Sequence, residues 1–359
     1  MIKYLGSKRL LLPRIARALG DARGAPTVLD LFSGTSRVGH ALKAAGHRVI
    51  ACDHNAYAHA LALCYVQADA GDVLADARRL VDEFNSLPAR DGPGWFVETY
   101  CRRSRYFLPE NGARIETVRE AIARKGLAPE LEGVMLTSLL EAADRVDSTT
   151  GVQMAYLKDW APRARNRLEL RVPAVLPRAP AGKGLAVLGD ALGAAQCHGA
   201  DAAYLDPPYN QHSYLGNYHV WETLVRWDRP ETFGVACKRV DCLTRKSEFN
   251  SKRRHATALR DLIAAVRAPR VVVSLSDEAY VAPGKLFEML GAHGTVEVEE
   301  IEYARYVGAR IGIHSPAGEK VGTVGRLRNR ELILTLTRGD GPGSARPPEA
   351  PGPEAVLRR

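Results

Sequence analysis

Residues 27–53, TVLDLFSGTSRVGHALKAAGHRVIACD, contain the pattern that decides the fold of this chain. A short apolar run, TVLDLF, is followed by a stretch in which apolar residues recur at helical spacing until Gly46 ends it. A second apolar run, HRVIACD, follows directly. The order strand, helix, strand predicts a βαβ unit, which is the repeating unit of an open α/β sheet.

Later apolar runs predict the remainder of that sheet. They are LAVLGD (185–190), AAYLDPP (202–208), RVVVSLSD (270–277), GTVEVEEIEYARYV (294–307) and RELILTLTR (330–338). The last two runs alternate apolar and polar residues, or nearly so, which is typical of antiparallel strands. We therefore predict an α/β fold with a mostly parallel sheet and a C-terminal antiparallel hairpin.

The segment between the two groups of strands has a different character. Residues 70–184 read as mostly helical and polar, with Pro and Gly clustered at 88–94. We predict that 70–184 form an inserted, mainly helical domain, and that 1–69 and 185–338 together form the α/β domain. The remainder, 339–359, is rich in Gly, Pro and Arg, and this composition predicts a disordered tail.

The composition of the 359 residues excludes several classes of protein. With 46% hydrophobic and 25% charged residues, the chain is neither mainly disordered nor fibrous. No apolar run approaches the ~20 residues that a bilayer span needs, and the basic stretch at 10–19 precedes no signal-type cleavage site, so we expect a cytoplasmic protein with no membrane partner. The six cysteines form no CxxC pair, and we therefore expect neither disulfides nor a metal site.

The positive charge of the chain is concentrated in local runs. Lys and Arg number 50 against 41 Asp and Glu, and one dense run lies between residues 238 and 254. Its cations are Lys238, Arg239, Arg245, Lys246, Lys252, Arg253 and Arg254. Phosphate binding needs such local density, so we predict that these seven residues contact nucleic acid, with a solvated loop as the alternative.

A small, glycine-containing turn follows the first predicted strand. It reads Asp30-Leu31-Phe32-Ser33-Gly34-Thr35-Ser36, and it opens the helix that comes next. Such a turn lets backbone N–H groups approach a ligand closely. Asp53 ends the next strand, where a carboxylate can accept hydrogen bonds from ribose hydroxyls. The two features together favour a nucleoside-type cofactor over turn and capping chemistry alone.

The sharpest motif is Asp206-Pro207-Pro208-Tyr209, at the end of the predicted strand AAYLDPP. Ligands bind at the carboxyl ends of strands in an open α/β sheet. The two prolines cannot continue the ladder, and they fix a turn that leaves a carboxylate, a carbonyl and an aromatic face together. This set suits a planar amino-heterocycle, because the two oxygens accept the amine hydrogens and Tyr209 stacks on the ring. The alternative is a proline turn with a capping Asp and a core Tyr.

Four blocks of this sequence together resemble those of S-adenosylmethionine-dependent DNA adenine-N6 methyltransferases of the Dam-like kind, in the motif order of the α group. Residues 3–8, KYLGSK, resemble the block that precedes the FxG loop of that group, and Phe32-Ser33-Gly34 resembles the loop itself. Asp53 resembles the ribose-binding acid, and 206–209 resemble the catalytic motif.

The resemblance implies a class I methyltransferase, Rossmann-like sheet with its target-recognition domain in the 70–184 insertion. It implies S-adenosylmethionine as the cofactor, with Lys8 as a natural partner for the methionine carboxylate. The residues expected to bind that cofactor are Tyr4, Lys8, Asp30, Phe32, Ser33, Gly34, Thr35, Asp53, Asp190 and Asp206. Asp190 is included as the acid that accepts the adenine amino group of the cofactor, and a plain strand-end Asp is its alternative.

The resemblance further implies direct methyl transfer to N6 of an adenine that is flipped out of double-stranded DNA. Asp206, Pro207, Pro208 and Tyr209 are the expected catalytic residues. N4-cytosine in DNA and N6-adenine in RNA remain alternative substrates. A dinucleotide-dependent oxidoreductase and a non-catalytic DNA-binding module remain alternative classes, although the chain lacks the GxGxxG of the former. A cognate restriction endonuclease is a candidate partner.

Overall fold

A computed structural model of the chain describes residues 1–90, 92–276, 279–304 and 328–339. The predicted tail, apart from Gly339, lies outside the described residues, as do Asp277 and residues 305–307 of two predicted strands.

The chain forms a central seven-stranded sheet and a separate two-stranded hairpin. The strands are β1 (Thr27–Asp30), β2 (Arg48–Asp53), β3 (Leu185–Leu188), β4 (Ala202–Leu205), β5 (Thr232–Phe233), β6 (Lys238–Arg239), β7 (Arg270–Ser276), β8 (Thr295–Ala304) and β9 (Arg328–Thr337). The sheet order is β3-β2-β1-β4-β7-β9-β8, and β5 pairs with β6. In this order, the five strands from β3 to β7 are parallel to one another, whereas β9 runs antiparallel to both β7 and β8. The predicted mixed sheet with an antiparallel C-terminal pair is therefore confirmed.

Twelve α-helices surround the strands in the part of the chain that the structure describes. They are α1 (Leu12–Leu19), α2 (Arg37–Ala44), α3 (Ala56–Ala62), α4 (Ala70–Ser86), α5 (Trp95–Val97), α6 (Pro109–Lys125), α7 (Pro129–Asp144), α8 (Ala191–Cys197), α9 (Tyr214–Asn217), α10 (His219–Arg226), α11 (His255–Ala265) and α12 (Pro283–Gly291). Within the described ranges, no helix is both long and apolar enough to cross a membrane.

The central parallel strands β4 and β7 are buried on both faces, which is why they read as continuous apolar runs. In β4 all four residues are buried, and in β7 every residue after Arg270 is buried. The register places Asp30 of β1 beside Ala51 of β2 and Tyr204 of β4. The chain order reverses at β1, since β2 lies on one side and β4 on the other. Ligands bind at such a switch point, at the carboxyl ends of the strands.

The segment inserted before β3 is helical, and it shares one apolar core with the helices that flank the sheet. That core joins side chains of α4, α6 and α7 to Tyr57 and Leu61 of α3 and to Trp221 and Leu224 of α10. Side chains of the helical segment also satisfy amides of the loop after α7: Asn85 Oδ1 accepts from Leu170 N–H, and Asn111 Oδ1 accepts from Leu168 N–H. The segment is thus packed against the part of the chain that follows β4.

Candidate active site

A cavity of about 520 Å³ lies at the carboxyl ends of β1 to β4. Four of the carboxylates in its wall come from the ends of these strands or from the residues just after them. They are Asp30, Asp53, Asp190 and Asp206. The volume is within the range of small-molecule and cofactor sites, and the position is the switch point of the sheet. The structure therefore brings the sequence-predicted acids together in one place.

The turn after β1 is shaped for close approach. Gly34 has a φ of +49°, and a Cβ at this position would lie 3.3 Å from the ring of Tyr4. Glycine is favoured here because other residues rarely adopt this backbone conformation. Gly34 N–H donates to Asp53 Oδ2 at 3.0 Å, which ties the turn to the end of β2. Phe32, Ser33, Gly34 and Thr35 all line the cavity, as the sequence predicted for cofactor-binding residues.

Asp53 is half-buried, and its carboxylate is partly engaged. Oδ2 accepts from Gly34, and Oδ1 accepts from the backbone N–H of Asn55 at 2.9 Å. Each carboxylate oxygen offers more than one lone pair, so acceptor capacity toward the cavity remains. Asp190 is exposed and caps α8 by accepting from Gly193 N–H at 3.0 Å. Asp190 also lines the cavity, and its predicted role toward the adenine amino group of a cofactor remains a prediction.

Asp30 is the least compensated acid of the site. Its side chain is 1% exposed, and among the described residues neither carboxylate oxygen has a well-formed hydrogen bond. Burial, followed by the charges of Asp206 and Asp53, raises the pKa of Asp30 to about 8, and the nearby backbone N–H of Phe32 offsets little of this rise. Ser33 Oγ and Asn55 Oδ1 are likewise buried without a described partner. Orphaned buried acceptors are costly in a native protein, and they indicate a missing ligand that carries hydrogen-bond donors or positive charge.

Lys8 lies between two carboxylates. Its Nζ is 3.0 Å from Asp206 Oδ1, and it also donates to Glu331 Oε1 of β9. Burial lowers the pKa of Lys8, but the charges of Asp206 and then Glu331 outweigh it and raise that pKa well above its usual value. The sequence predicted that Lys8 would face the methionine carboxylate of a cofactor. Lys8 does line the cavity, but its ion pairs are with these two acids.

The pKa of Asp206 is raised to about 6. Burial is the main cause, Lys8 acts in the opposite direction, and Glu331 raises the pKa further. At neutral pH the carboxylate is therefore mainly ionised, while its proton affinity is greater than that of an exposed Asp. An ionised, partly buried carboxylate of this kind is a strong hydrogen-bond acceptor.

The residues after Asp206 divide between the cavity wall and the surrounding core. Pro208 lines the cavity with Asp206, whereas Pro207 and Tyr209 are not part of its lining. The backbone carbonyl of Tyr209 accepts from Tyr280 N–H at 3.0 Å. The aromatic ring that lines the cavity at this side belongs to Tyr214, which the sequence did not single out. The acceptor role predicted for the Pro207 carbonyl and the stacking role predicted for Tyr209 both remain predictions.

Tyr4 of the N-terminal block packs into a small aromatic stack beside the cavity. Its ring is stacked on Tyr214, with centroids 5.2 Å apart, and on Tyr218, with centroids 4.6 Å apart. Its hydroxyl lies 3.1 Å from that of Tyr57. The backbone N–H of Leu5 donates to the Tyr218 hydroxyl at 2.7 Å. These contacts, with the approach of the Tyr4 ring to Gly34, hold the N-terminal block, residues 3–8, against the turn after β1 and against the segment after β4.

A stretch of the basic run forms another wall of the cavity. Residues 244–249 line it, and Phe249 meets Phe32 edge to face with ring centroids 5.0 Å apart. Arg245 anchors this stretch: Nη1 donates to Glu222 Oε1 at 3.0 Å and Nη2 donates to the carbonyl of His54 at 3.2 Å. Arg245 thus connects the wall to the end of β2. The sequence analysis predicts Arg245 as a nucleic-acid contact, and that role remains a prediction.

The other cations of the basic run differ in their accessibility. Arg239 is 2% exposed, and its guanidinium binds both carboxylate oxygens of Asp228 at 2.7 and 2.8 Å and also pairs with Asp241. Its position holds the β5–β6 hairpin to α10, so we do not propose it as a DNA contact. Arg254 is exposed and pairs with Glu248. Lys238 is half-buried, whereas Lys246, Lys252 and Arg253 are exposed. Within the described part of the chain, no cluster of three or more His, Cys, Asp or Glu is arranged to hold a metal ion.

Comparison with known protein families gives a match over residues 4–271 to the model of "D12 class N6 adenine-specific DNA methyltransferase". This range contains the N-terminal block, the turn after β1, Asp53 and the motif at 206–209.

Several curated methylases are similar to this chain. Modification methylase StsI of Streptococcus sanguinis is 28% identical over 322 residues, which cover 85% of this chain and 49% of the relative. Type II methyltransferase M.FokI of Planomicrobium okeanokoites is 27% identical over 325 residues, covering 85% and 50%. Type II methyltransferase M.NlaIII of Neisseria lactamica is 28% identical over 317 residues, covering 85% and 92%. The chain thus spans about half the length of the first two relatives and most of the third.

Proposed function

Since this chain belongs to the D12 class of N6 adenine-specific DNA methyltransferases, we propose that it transfers a methyl group from S-adenosylmethionine to N6 of adenine within a specific double-stranded DNA sequence. The observation that carries the proposal is that Asp206 and Asp53 line one cavity at the carboxyl ends of the strands. A carboxylate for the target base and a carboxylate for the cofactor ribose are thereby within a single site.

The residues of the cavity fit S-adenosylmethionine, the cofactor that this family uses. Asp30 offers two buried carboxylate oxygens that lack described partners, and a cofactor with a sulfonium and an ammonium supplies the compensating charge. Ser33 and Asn55 offer further acceptors on the same wall. We infer that Asp53, which lines the same cavity, accepts hydrogen bonds from the ribose hydroxyls. When bound, the cofactor supplies an electrophilic methyl group, so no side chain needs to act as a covalent nucleophile.

Asp206 acts on the target amino group by accepting a hydrogen bond from one of its N–H groups. After methylation, the cationic N6 releases one proton to solvent or to this carboxylate. The N6 lone pair of adenine is delocalised into the ring, which makes the nitrogen a poor nucleophile. We propose that both N–H groups donate hydrogen bonds, one to Asp206 and one to the Pro207 carbonyl. These two bonds favour a more tetrahedral nitrogen with a localised lone pair. This is preorganised electrostatic stabilisation, and it requires that the carboxylate be ionised. Pro208 keeps the turn rigid, and Tyr209 is the residue we propose to stack on the base.

The base reaches this site by leaving the duplex, because N6 of a paired adenine cannot enter a buried cavity. Lys246 lines the cavity, and the exposed cations Lys252 and Arg253 come shortly after the cavity wall in the chain. These three cations support contact with DNA phosphates at the rim of the site. We assign target recognition to the helical segment 70–184, which packs against the helix after β4. The name of the relative StsI as a modification methylase supports a cognate restriction endonuclease as a partner. Action on genomic DNA supports the cytoplasmic location that the sequence predicts.

The test is incubation with S-adenosylmethionine carrying a labelled methyl group, with duplex DNA and with RNA, followed by digestion to nucleosides. The expected label is in N6-methyldeoxyadenosine from duplex DNA. Label in N4-methyldeoxycytidine or in RNA nucleosides would instead assign the alternative substrates. DNA binding without S-adenosylmethionine binding in a calorimetric titration, and without label in any nucleic acid, would assign a non-catalytic DNA-binding module with a decayed cofactor pocket.

A further inference from the structure

We propose that Glu331 is a positioning residue for methyl transfer: it shares the ammonium of Lys8 with Asp206 and so leaves Asp206 free to accept from the target amino group. This inference rests on the proposed function and extends it to a residue of the C-terminal strand that lies outside the family match at 4–271.

The placement of Glu331 is unusual for an acid. It lies in β9, paired with Ser276 of β7 and Ile301 of β8, and its side chain is 2% exposed. The residues that follow it, 332–336, are buried apolar and Thr positions of the same strand. A buried charge requires pairing to be tolerated. Lys8 supplies that pairing, since its Nζ donates to Glu331 Oε1.

Lys8 joins two acids that arrive from distant parts of the chain. Its Nζ lies 3.0 Å from Asp206 Oδ1 while it donates to Glu331. Two carboxylates and one ammonium give the triad a net charge of −1. A triad with this charge complements a site in which a cationic methyl donor and an amino nitrogen of increasing positive character come together. With Lys8 and Asp206 alone, the net charge would be zero.

The second carboxylate also changes what Lys8 does to Asp206. An ammonium that faces a single carboxylate directs its N–H donors and its whole charge toward that carboxylate. The carboxylate is then a weaker acceptor for any other group. Glu331 competes for the same ammonium, so part of the acceptor strength of Asp206 is restored. The charged and titratable groups around Asp206 are Lys8, Glu331, Asp30, Tyr204 and Tyr214.

The direction of the pKa shifts agrees with this competition. Burial raises the pKa of Asp206 first, Lys8 lowers it, and Glu331 raises it again. Removal of the charge at position 331 therefore lowers the pKa of Asp206. An enzyme that needs ionised Asp206 then has the acidic limb of its pH profile at a lower pH.

The experiment compares Glu331→Gln with wild type and with Glu300→Gln. Glu300 is an exposed acid on β8 that pairs with Arg330, so its substitution removes the same charge from the neighbouring strand. For Glu331→Gln we expect kcat to fall by about tenfold or more, with the KM for DNA nearly unchanged and the acidic limb displaced to lower pH. Glu331→Asp restores the charge, so it should return the acidic limb toward that of wild type. Glu300→Gln should match wild type in both respects.

A loss of kcat in Glu331→Gln with an unmoved acidic limb would mean that Glu331 is merely structural, and it would overturn the inference. The second measurement does not depend on catalysis. Titration of carboxyl-¹³C-labelled Asp by NMR, with the Asp206 signal assigned by its absence in Asp206→Asn, should give a lower pKa for Asp206 in Glu331→Gln than in wild type. An unchanged pKa would reject the coupling. If wild type methylates no adenine, the proposed function fails, and this titration still decides the coupling.

Discussion

Lys8 Nζ lies 3.0 Å from Asp206 Oδ1, so the N-terminal block is joined directly to the turn that follows β4. Two motifs that are far apart in the sequence thus meet in one ion pair at the switch point of the sheet. Since Lys8 is buried and also binds Glu331, its ammonium is part of the structure of the site. Its removal should affect the stability of the fold as well as the chemistry.

Substitution of Lys8 by Met should lower the free energy of unfolding by about 3–5 kcal/mol, because it leaves the buried Glu331 and the half-buried Asp206 without their shared cation. The double variant Lys8→Met/Glu331→Gln should recover part of this decrease. Urea unfolding at pH 8 measures both. Lys285→Met, which removes an exposed cation paired with Glu288, is the control and should change little. Equal stability of Lys8→Met and wild type would show that the triad is not a buried ion-pair cluster.

The pH dependence of methyl transfer should follow the ionisation of Asp206. Its pKa is about 6, and acceptance of the target amino hydrogen requires the carboxylate form. We expect kcat, at saturating cofactor and DNA, to fall about tenfold per pH unit below this value. At saturating cofactor, kcat no longer depends on cofactor affinity, so the titration of Asp30 does not contribute through cofactor binding. A kcat that stays constant down to pH 4.5 would contradict an acceptor role for Asp206.

Asp30→Asn should stabilise the cofactor-free protein at high pH and weaken cofactor binding. The pKa of Asp30 is about 8 in the folded state, well above its ordinary value of 3.8, so folding takes up a proton between these two values. Stability associated with this group is complete at low pH and is lost as the pH rises to about 8. The gain in Asp30→Asn should therefore be small at pH 5 and should reach roughly several kcal/mol at pH 9.

Chemical denaturation at the two pH values measures this gain, and calorimetric titration with S-adenosylmethionine measures the decrease in affinity. A gain of the same size at both pH values would show that burial does not raise the pKa of Asp30. Undiminished cofactor affinity would remove Asp30 from the cofactor site.

Neutralisation of the exposed cations should reduce the salt dependence of DNA binding. For Lys252→Gln/Arg253→Gln, we expect the slope of log K against log salt to decrease by about 0.9 for each DNA phosphate that the variant no longer neutralises. Arg23→Gln/Arg267→Gln removes the same charge from exposed positions that precede β1 and β7, at the strand ends opposite the cavity, and is the control. Fluorescence anisotropy at several salt concentrations gives both slopes. If the two double variants have the same slope, the basic run is a solvated surface.

The sequence predicted the framework of the sheet well, because buried parallel strands read as unbroken apolar runs and strand-end acids mark the ligand edge. The residues at 27–53 and 202–209 were sufficient to predict where Asp30, Asp53 and Asp206 meet. The antiparallel pair β8–β9 was visible as alternation, although part of the predicted first strand lies outside the described residues.

Interactions between distant segments were not predictable from local pattern. Glu331 begins the apolar run ELILTLT, and an acid before such a run reads equally well as an exposed strand end. Likewise, Arg239 and Arg245 belong to a dense cation run, yet the acids that bind them include Asp228 and Glu222, which precede that run. Charge density in a sequence gives the number of cations, whereas their burial depends on partners that only the fold brings close.

The most direct test of the account is a single-turnover assay of Asp206→Asn with a duplex DNA substrate on which wild type forms N6-methyladenine. Asn keeps the size of the side chain but removes its charge and one acceptor. We predict that this variant folds, binds S-adenosylmethionine in a calorimetric titration, and forms N6-methyladenine at least about 100-fold more slowly, in line with the removal of a preorganised polar interaction. Methylation at the rate of wild type by a cofactor-loaded Asp206→Asn protein would contradict the assignment of this site.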